Sequence, residues 1–91
     1  MHKERWLLKL YVAGPGVSSM RARQNLERLC QQHVQGRYRI EVIDLLHQPT
    51  LAREHEIVAV PTVVREVPVP IRKAVGDLSY PDRAPWLFMN F

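Results

Sequence analysis

The chain has one cysteine, Cys30, among its 91 residues. A lone thiol excludes an internal disulfide framework and the Cys-x-x-Cys pair that dithiol redox chemistry needs. It also makes the reducing cytoplasm the expected compartment. No apolar run approaches the ~20 residues of a membrane-spanning helix, so no membrane partner is expected. The charged start Met1-His2-Lys3-Glu4-Arg5 leads into an apolar run that stops at Gly14-Pro15-Gly16. That run reads as a strand and not as a signal peptide. No Gly-Lys-Ser/Thr follows these glycines, which excludes a phosphate-cradling loop. His2, His33, His47 and His55 lack ligand spacing, and Ser18 and Ser19 have no evident triad partners. Neither a metal site nor a catalytic nucleophile is therefore expected, and no cofactor is implied. Repeats, low-complexity stretches and linkers are also missing, so residues 1–91 read as one domain.

What is present fits a small globular protein. Hydrophobic residues make up 46% and charged residues 24% of the chain. A domain of this size buries roughly 60–70% of the surface that its unfolded form exposes, enough for one core. The net charge is +4 and the pI about 9.7, a mild basic excess that attracts acidic protein surfaces. The basic residues, among them Arg23, Arg28, Arg37, Arg39, Arg65 and Arg83, are dispersed and read as solvated surface. Without aromatic interleaving they do not make a nucleic-acid face.

Periodicity gives the elements. Leu7 to Ala13 reads as a mostly buried strand. Ser18-Ser19 can cap a helix whose apolar face is Ala22, Leu26, Leu29, Cys30 and His33, with Arg21, Asn25, Arg28 and Gln32 wet. Gly36 suits the left-handed residue after that helix. Tyr38 to Leu46 is a second strand, half exposed at its start and buried at its end. Pro49 opens a short helix running to about Glu56. Thr62 to Val67 is a third strand, Pro68-Val69-Pro70 forces a turn, and Ile71 to Val75 is a fourth, antiparallel to the third. Gly76 opens the last turn, and Ser79 or Asp82 caps a final helix. Trp86, Leu87, Phe88 and Phe91 must then dock on the sheet or await a partner.

The order is β-α-β-α-β-β-α, with a mixed four-stranded sheet formed through right-handed crossovers. Val60-Pro61-Thr62 entering the third strand, after a strand–turn–helix start, is a frequent mark of thioredoxin-like α/β architecture. The turn after strand one carries Gly14-Pro15-Gly16-Val17 and no thiols, which points to binding rather than redox catalysis.

More specific are Leu8-Lys9-Leu10-Tyr11-Val12-Ala13-Gly14, Ser19-Met20-Arg21-Ala22, Val42-Ile43-Asp44-Leu45, Pro49-Thr50-Leu51-Ala52, Val60-Pro61-Thr62, Pro70-Ile71-Arg72-Lys73 and Gly76-Asp77-Leu78-Ser79. In this order and spacing they resemble the KaiB family of circadian-clock proteins. The resemblance implies a non-enzymatic clock component or clock-related regulator that binds the N-terminal ATPase ring of KaiC. In a complete clock it implies KaiA sequestration and competition with the thioredoxin-like sensor domain of the SasA kinase. It also implies two packings, a ground state that self-associates into tetramers and a thioredoxin-like monomer competent for KaiC. The local signals match the thioredoxin-like form, which is the expectation here. The alternatives are a sensor-type thioredoxin-like interaction domain with another partner and a redox protein, against which the missing cysteine pair argues.

By the same resemblance, Arg21, Arg72 and Lys73 occupy basic positions that would meet an acidic ATPase surface, best as bidentate Arg–carboxylate pairs. Arg53 would reach outward from the second helix, the docking element by analogy. Asp77 reads either as a partner contact or as a turn residue. Pro61 and Gly76 read as structural, and Cys30 as a buried inert thiol. The chain departs from the family at Glu56, at Pro85 and in its aromatic end. Arg39 and Glu41 replace the residues that the second-strand edge uses toward KaiA, which argues against a KaiA-like partner.

Overall fold

Strand β1, Trp6–Val12, is the spine of the sheet, because both neighbouring strands hydrogen-bond to it. The computed structural model describes residues 5–79 and 84–89, and the strand order is β2-β1-β3-β4. Strand β2, Tyr38–Asp44, runs parallel to β1 with Trp6 opposite Tyr38 and Val12 opposite Asp44. A parallel pair needs a crossover, and helix α1, Val17–His33, supplies it. Strand β3, Thr62–Val67, is antiparallel to β1, and β4, Arg72–Val75, is antiparallel to β3. This is the expected mixed sheet in thioredoxin-like order.

Alternation along β1 divides the core in two. Trp6, Leu8, Leu10 and Val12 face α1 and pack with Ala22, Leu26, Leu29, Cys30 and Val34. Each such leucine contributes about 1.5–3 kcal/mol by leaving water. Tyr11 points the other way, toward Val64 and Ile57, with Ala52 of the short helix α2, Thr50–Glu54, against this smaller cluster.

Several local expectations change. The cap of α1 is Gly16 in an extended conformation, not a serine; the Ser19 hydroxyl instead donates to the Gly14 carbonyl at 2.8 Å. At the other end of α1 the left-handed turn starts at Gln35, one residue before Gly36. Asn25 is buried and His33 exposed, the reverse of their predicted faces. Strand β2 ends at Asp44, and Val42 and Leu46 are exposed because β2 is an edge strand.

The last helix is a 3-10 helix, Ala84–Phe88, rather than an α-helix. Its aromatics do dock on the sheet. Phe88 stacks on His33 with ring centroids 4.5 Å apart and lies 5.5 Å from Trp6, and Leu87 is fully buried. The proposed cap Asp82, like Phe91, lies outside the described residues.

The largest correction concerns two arginines expected on the surface. Arg65 and Arg72 are cross-strand neighbours on the α1 face of the hairpin, and both are buried. Arg65 donates through Nη1 to the carbonyls of Leu87 (2.9 Å) and Met89, and through Nη2 to that of Pro70 (2.9 Å). Its guanidinium also lies 5.1 Å from the Trp6 ring. Burial, and then the Arg72 charge, lowers its pKa below the ordinary arginine value. A buried cation is tolerable only when hydrogen-bonded or covered in this way.

Candidate functional site

Topology collects four loops at one end of the sheet. Strands β1 and β2 finish there, β3 begins there, and β4 returns there. The loops at 13–16, 45–49, 57–61 and 76–79 are therefore neighbours in space although far apart in sequence.

Asp44 ties the first two together. Its Oδ1 accepts the backbone N–H of Gly14 and of Leu46, each at 2.9 Å. Those bonds, first the one from Gly14, hold its carboxyl below the usual aspartate range, and nearby His47 acts in the same direction. Gly14 has φ +76, and a Cβ there would lie 2.9 Å from Leu46 Cδ1, so glycine is required both by backbone and by space.

Pro61 and Gly76 tie the other two. The Gly76 N–H donates to the Pro61 carbonyl at 2.8 Å, and Gly76 has φ +107. The Val60–Pro61 bond is cis, as are those before Pro68 and Pro70. Asp77 closes the cluster. Its Oδ1 accepts the Ser79 N–H at 3.0 Å, its carbonyl accepts Asn25 Nδ2 at 2.7 Å, and Arg21 Nη1 approaches Oδ2 at 3.5 Å. The Ser79 side-chain hydrogen bond, joined by its N–H and by Arg21, holds the Asp77 carboxyl below its ordinary value.

The rim of this end is apolar. Val17 is 71% exposed and Leu46 69%, with Met20 and Val42 also in solvent. Val17, Met20 and Val42 line an open groove of about 580 Å³ together with Val12, Gly14 and Arg23. Exposed aliphatic side chains around a polar-tied loop cluster are the makings of a recognition surface. Nothing in the turn offers a nucleophile. Cys30 lies in the core, where burial, and then Glu27, pushes its thiol up to about 12. Among the described residues no three His, Cys, Asp or Glu converge as a metal site, and no helix is long and apolar enough to cross a membrane.

The five residues singled out from the sequence do not form one cluster. Arg21 and Asp77 pair with each other at the loop end. Arg53 is exposed on α2, on the opposite face of the sheet from α1. Lys73 Nζ donates to the carbonyls of His55 (3.0 Å) and Glu56 (3.4 Å), holding the end of α2. Arg72 is buried, with its guanidinium 4.0 Å from the Trp86 ring. It faces the protein, not the solvent. Asp44, Asn25 and Arg65 are not among the five: the sequence reading leaves Asn25 and Arg65 in solvent and gives Asp44 no role of its own. The signal for Asp44 is an acid at a strand's end, opposite a glycine turn. For Arg65 it is the phase shared with inward Val63, together with an aromatic chain end to cover the charge.

The fold and the loop end define a thioredoxin-like domain without thiols in its first turn. It superposes on the N-terminal domain of SasA from Synechococcus elongatus with a TM-score of 0.79 at 20% identity, covering 96% of this chain and 83% of that one. Chloroplastic thioredoxin z matches with a TM-score of 0.64 at 21% identity, over 81% of this chain and 67% of that one. Sequence comparison narrows the class. Residues 9–89 match the KaiB domain model. The circadian clock oscillator protein KaiB of Cyanothece sp. is 47% identical over 77 residues, 85% of this chain and 73% of that protein. The chain belongs to the KaiB family of circadian clock proteins.

Proposed function

We propose that this protein is a non-enzymatic, clock-related regulator of the cytoplasm that docks on a KaiC-type ATPase. The observation that carries the reading is the KaiB match, laid over nearly the whole chain in its thioredoxin-like packing. Exposed Val17, Met20 and Leu46 would supply apolar anchors at the loop end. Arg21 and Arg53, both pointing into solvent, would supply charged contacts to an acidic surface. Asp77 orients Arg21, exposed Lys73 steadies the end of α2 and stands beside it as a further charged contact, and buried Arg72 acts from within the hairpin. Pro61 and Gly76 fix the loops. A KaiA-like partner is not part of the reading, because Arg39 and Glu41, paired with each other at 3.4 Å, replace the residues that the family resemblance places on the β2 edge toward KaiA. Exchange with the family's other, self-associating packing belongs to it, with the β3–β4 half as the part that changes.

The test is binding of the purified protein to a KaiC-type ATPase ring by titration calorimetry. Saturable binding is expected, weakened about tenfold or more by Arg53→Glu without change in the circular dichroism spectrum. Absence of binding by the unaltered protein would sink the proposal. Insulin reduction in a turbidity assay would instead favour a redox protein.

A further inference from the structure

Arg72 and Lys73 are consecutive in β4, so their side chains leave on opposite faces of the sheet. On the α1 face, Arg72 lies under the Trp86 ring. On the other face, Lys73 holds the carbonyls of His55 and Glu56, the two residues that follow α2. Trp86 belongs to the C-terminal segment 84–89. Besides Trp86, that segment grips the sheet and the end of α1 through buried Leu87, through Phe88 against Trp6 and His33, and through the Leu87 and Met89 carbonyls on Arg65.

Neither the 3-10 helix nor α2, each five residues long, is stable by itself. Both are held by side chains of the hairpin, and both grips meet on β4. That strand has four residues and pairs only with β3 in the described sheet. It is the strand whose order depends most on what covers it.

We propose that segment 84–89 is a strap whose seating on Arg65 and Arg72 sets the order of β4 and, through Lys73, the placement of α2. When the strap lifts, Arg65 loses two carbonyl acceptors and Arg72 loses its aromatic cover. Both cations then favour hydration, which opens the short edge strand before the β1–β2 half. The Lys73 hold on α2 goes with it. The state of the chain's C-terminal segment is thereby relayed across the sheet to the α2 surface. This relay rests on contacts within the chain and stands or falls independently of any partner.

Native-state amide exchange of the full chain, followed by NMR, tests it. Trp86→Ala is expected to speed exchange of the β4 amides by about tenfold or more. The same factor is expected at the Ile57 N–H, which bonds the Ala52 carbonyl at 2.7 Å. The amides of Leu8 and Leu10 keep their rates. Lys73→Met speeds Ile57 alone, and in that background Trp86→Ala adds nothing further at Ile57. Arg65→Met, which removes the grip on the strap while keeping much of the side-chain volume, repeats the Trp86→Ala pattern by a second route. Unchanged Ile57 exchange in Trp86→Ala overturns the relay. So does a uniform rise at every amide, which marks general destabilisation, or an undiminished Trp86→Ala effect in the Lys73→Met background.

Discussion

The two ends of the sheet solve opposite problems. At the strap end, two guanidinium groups lie inside, under Trp6, Trp86 and the carbonyls of the last segment. At the loop end, valine, methionine and leucine side chains stand in water, while Oδ1 of Asp44 and Oδ1 of Asp77 each accept backbone N–H groups of the loops. Residue polarity therefore does not decide what is buried; the available cover does. The strap end turns its guanidinium groups inward, whereas the loop end and α2 carry the exposed side chains on which the proposed docking rests.

The strongest way to break this contrast is Arg65→Ala. It leaves a cavity and three backbone carbonyls without their donor. A loss of about 3–5 kcal/mol in urea unfolding is expected. A loss below about 1 kcal/mol would mean that the buried cation is only tolerated. Next comes Gly76→Ala at the loop end. A left-handed φ of +107 is strained for any side chain, so about 1–3 kcal/mol should be lost, with the Gly76–Pro61 bond weakened.

Acid sharpens the comparison from the other side. The folded pKa values of Asp44 and Asp77 lie below their unfolded value of about 3.9. The stability they give is present above the unfolded value and is lost as pH falls through the folded ones. Acidification below about pH 4 should therefore loosen the loop end first. Exchange at the Gly14 and Leu46 amides should rise before exchange in β3. Asp44→Asn should remove most of that acid dependence at those two amides, and an unchanged acid profile would refute the assignment. The smallest effect on the fold is expected for Val17→Ser combined with Met20→Ser. Stability should move by no more than about 0.5 kcal/mol per site, as both side chains are exposed. Binding to a KaiC-type ring should nonetheless fall clearly; unchanged affinity would remove the groove from the recognition surface.

Much of the fold was legible. Strand β3 from Thr62 to Val67 agrees with its sequence reading residue for residue, because Pro61 and Pro68 bracket it. The apolar spacing of α1 also held at Ala22, Leu26, Leu29 and Cys30. Asn25 misled, because an amide on a helix reads as wet until the loop at Asp77 is folded against it. Strand β2 misled likewise. An apolar run suggests burial on both sides, and only the strand order reveals that β2 is an edge. The candidate site was legible as residue types and not as an arrangement. Arg21 and Asp77 are 56 positions apart, and their pairing depends on α1 crossing beside the end of β4.

By itself the sequence determined the element order, the lack of a Cys-x-x-Cys pair and the kinship with KaiB proteins, since periodicity, cysteine count and ordered motifs are properties of the chain read along its length. Only the tertiary structure decided that Arg65 and Arg72 lie inside, that Lys73 holds α2 and that four separate loops share one end. Those facts depend on which surfaces meet once the strands are in register, and side-chain desolvation is settled by neighbours that no local window contains.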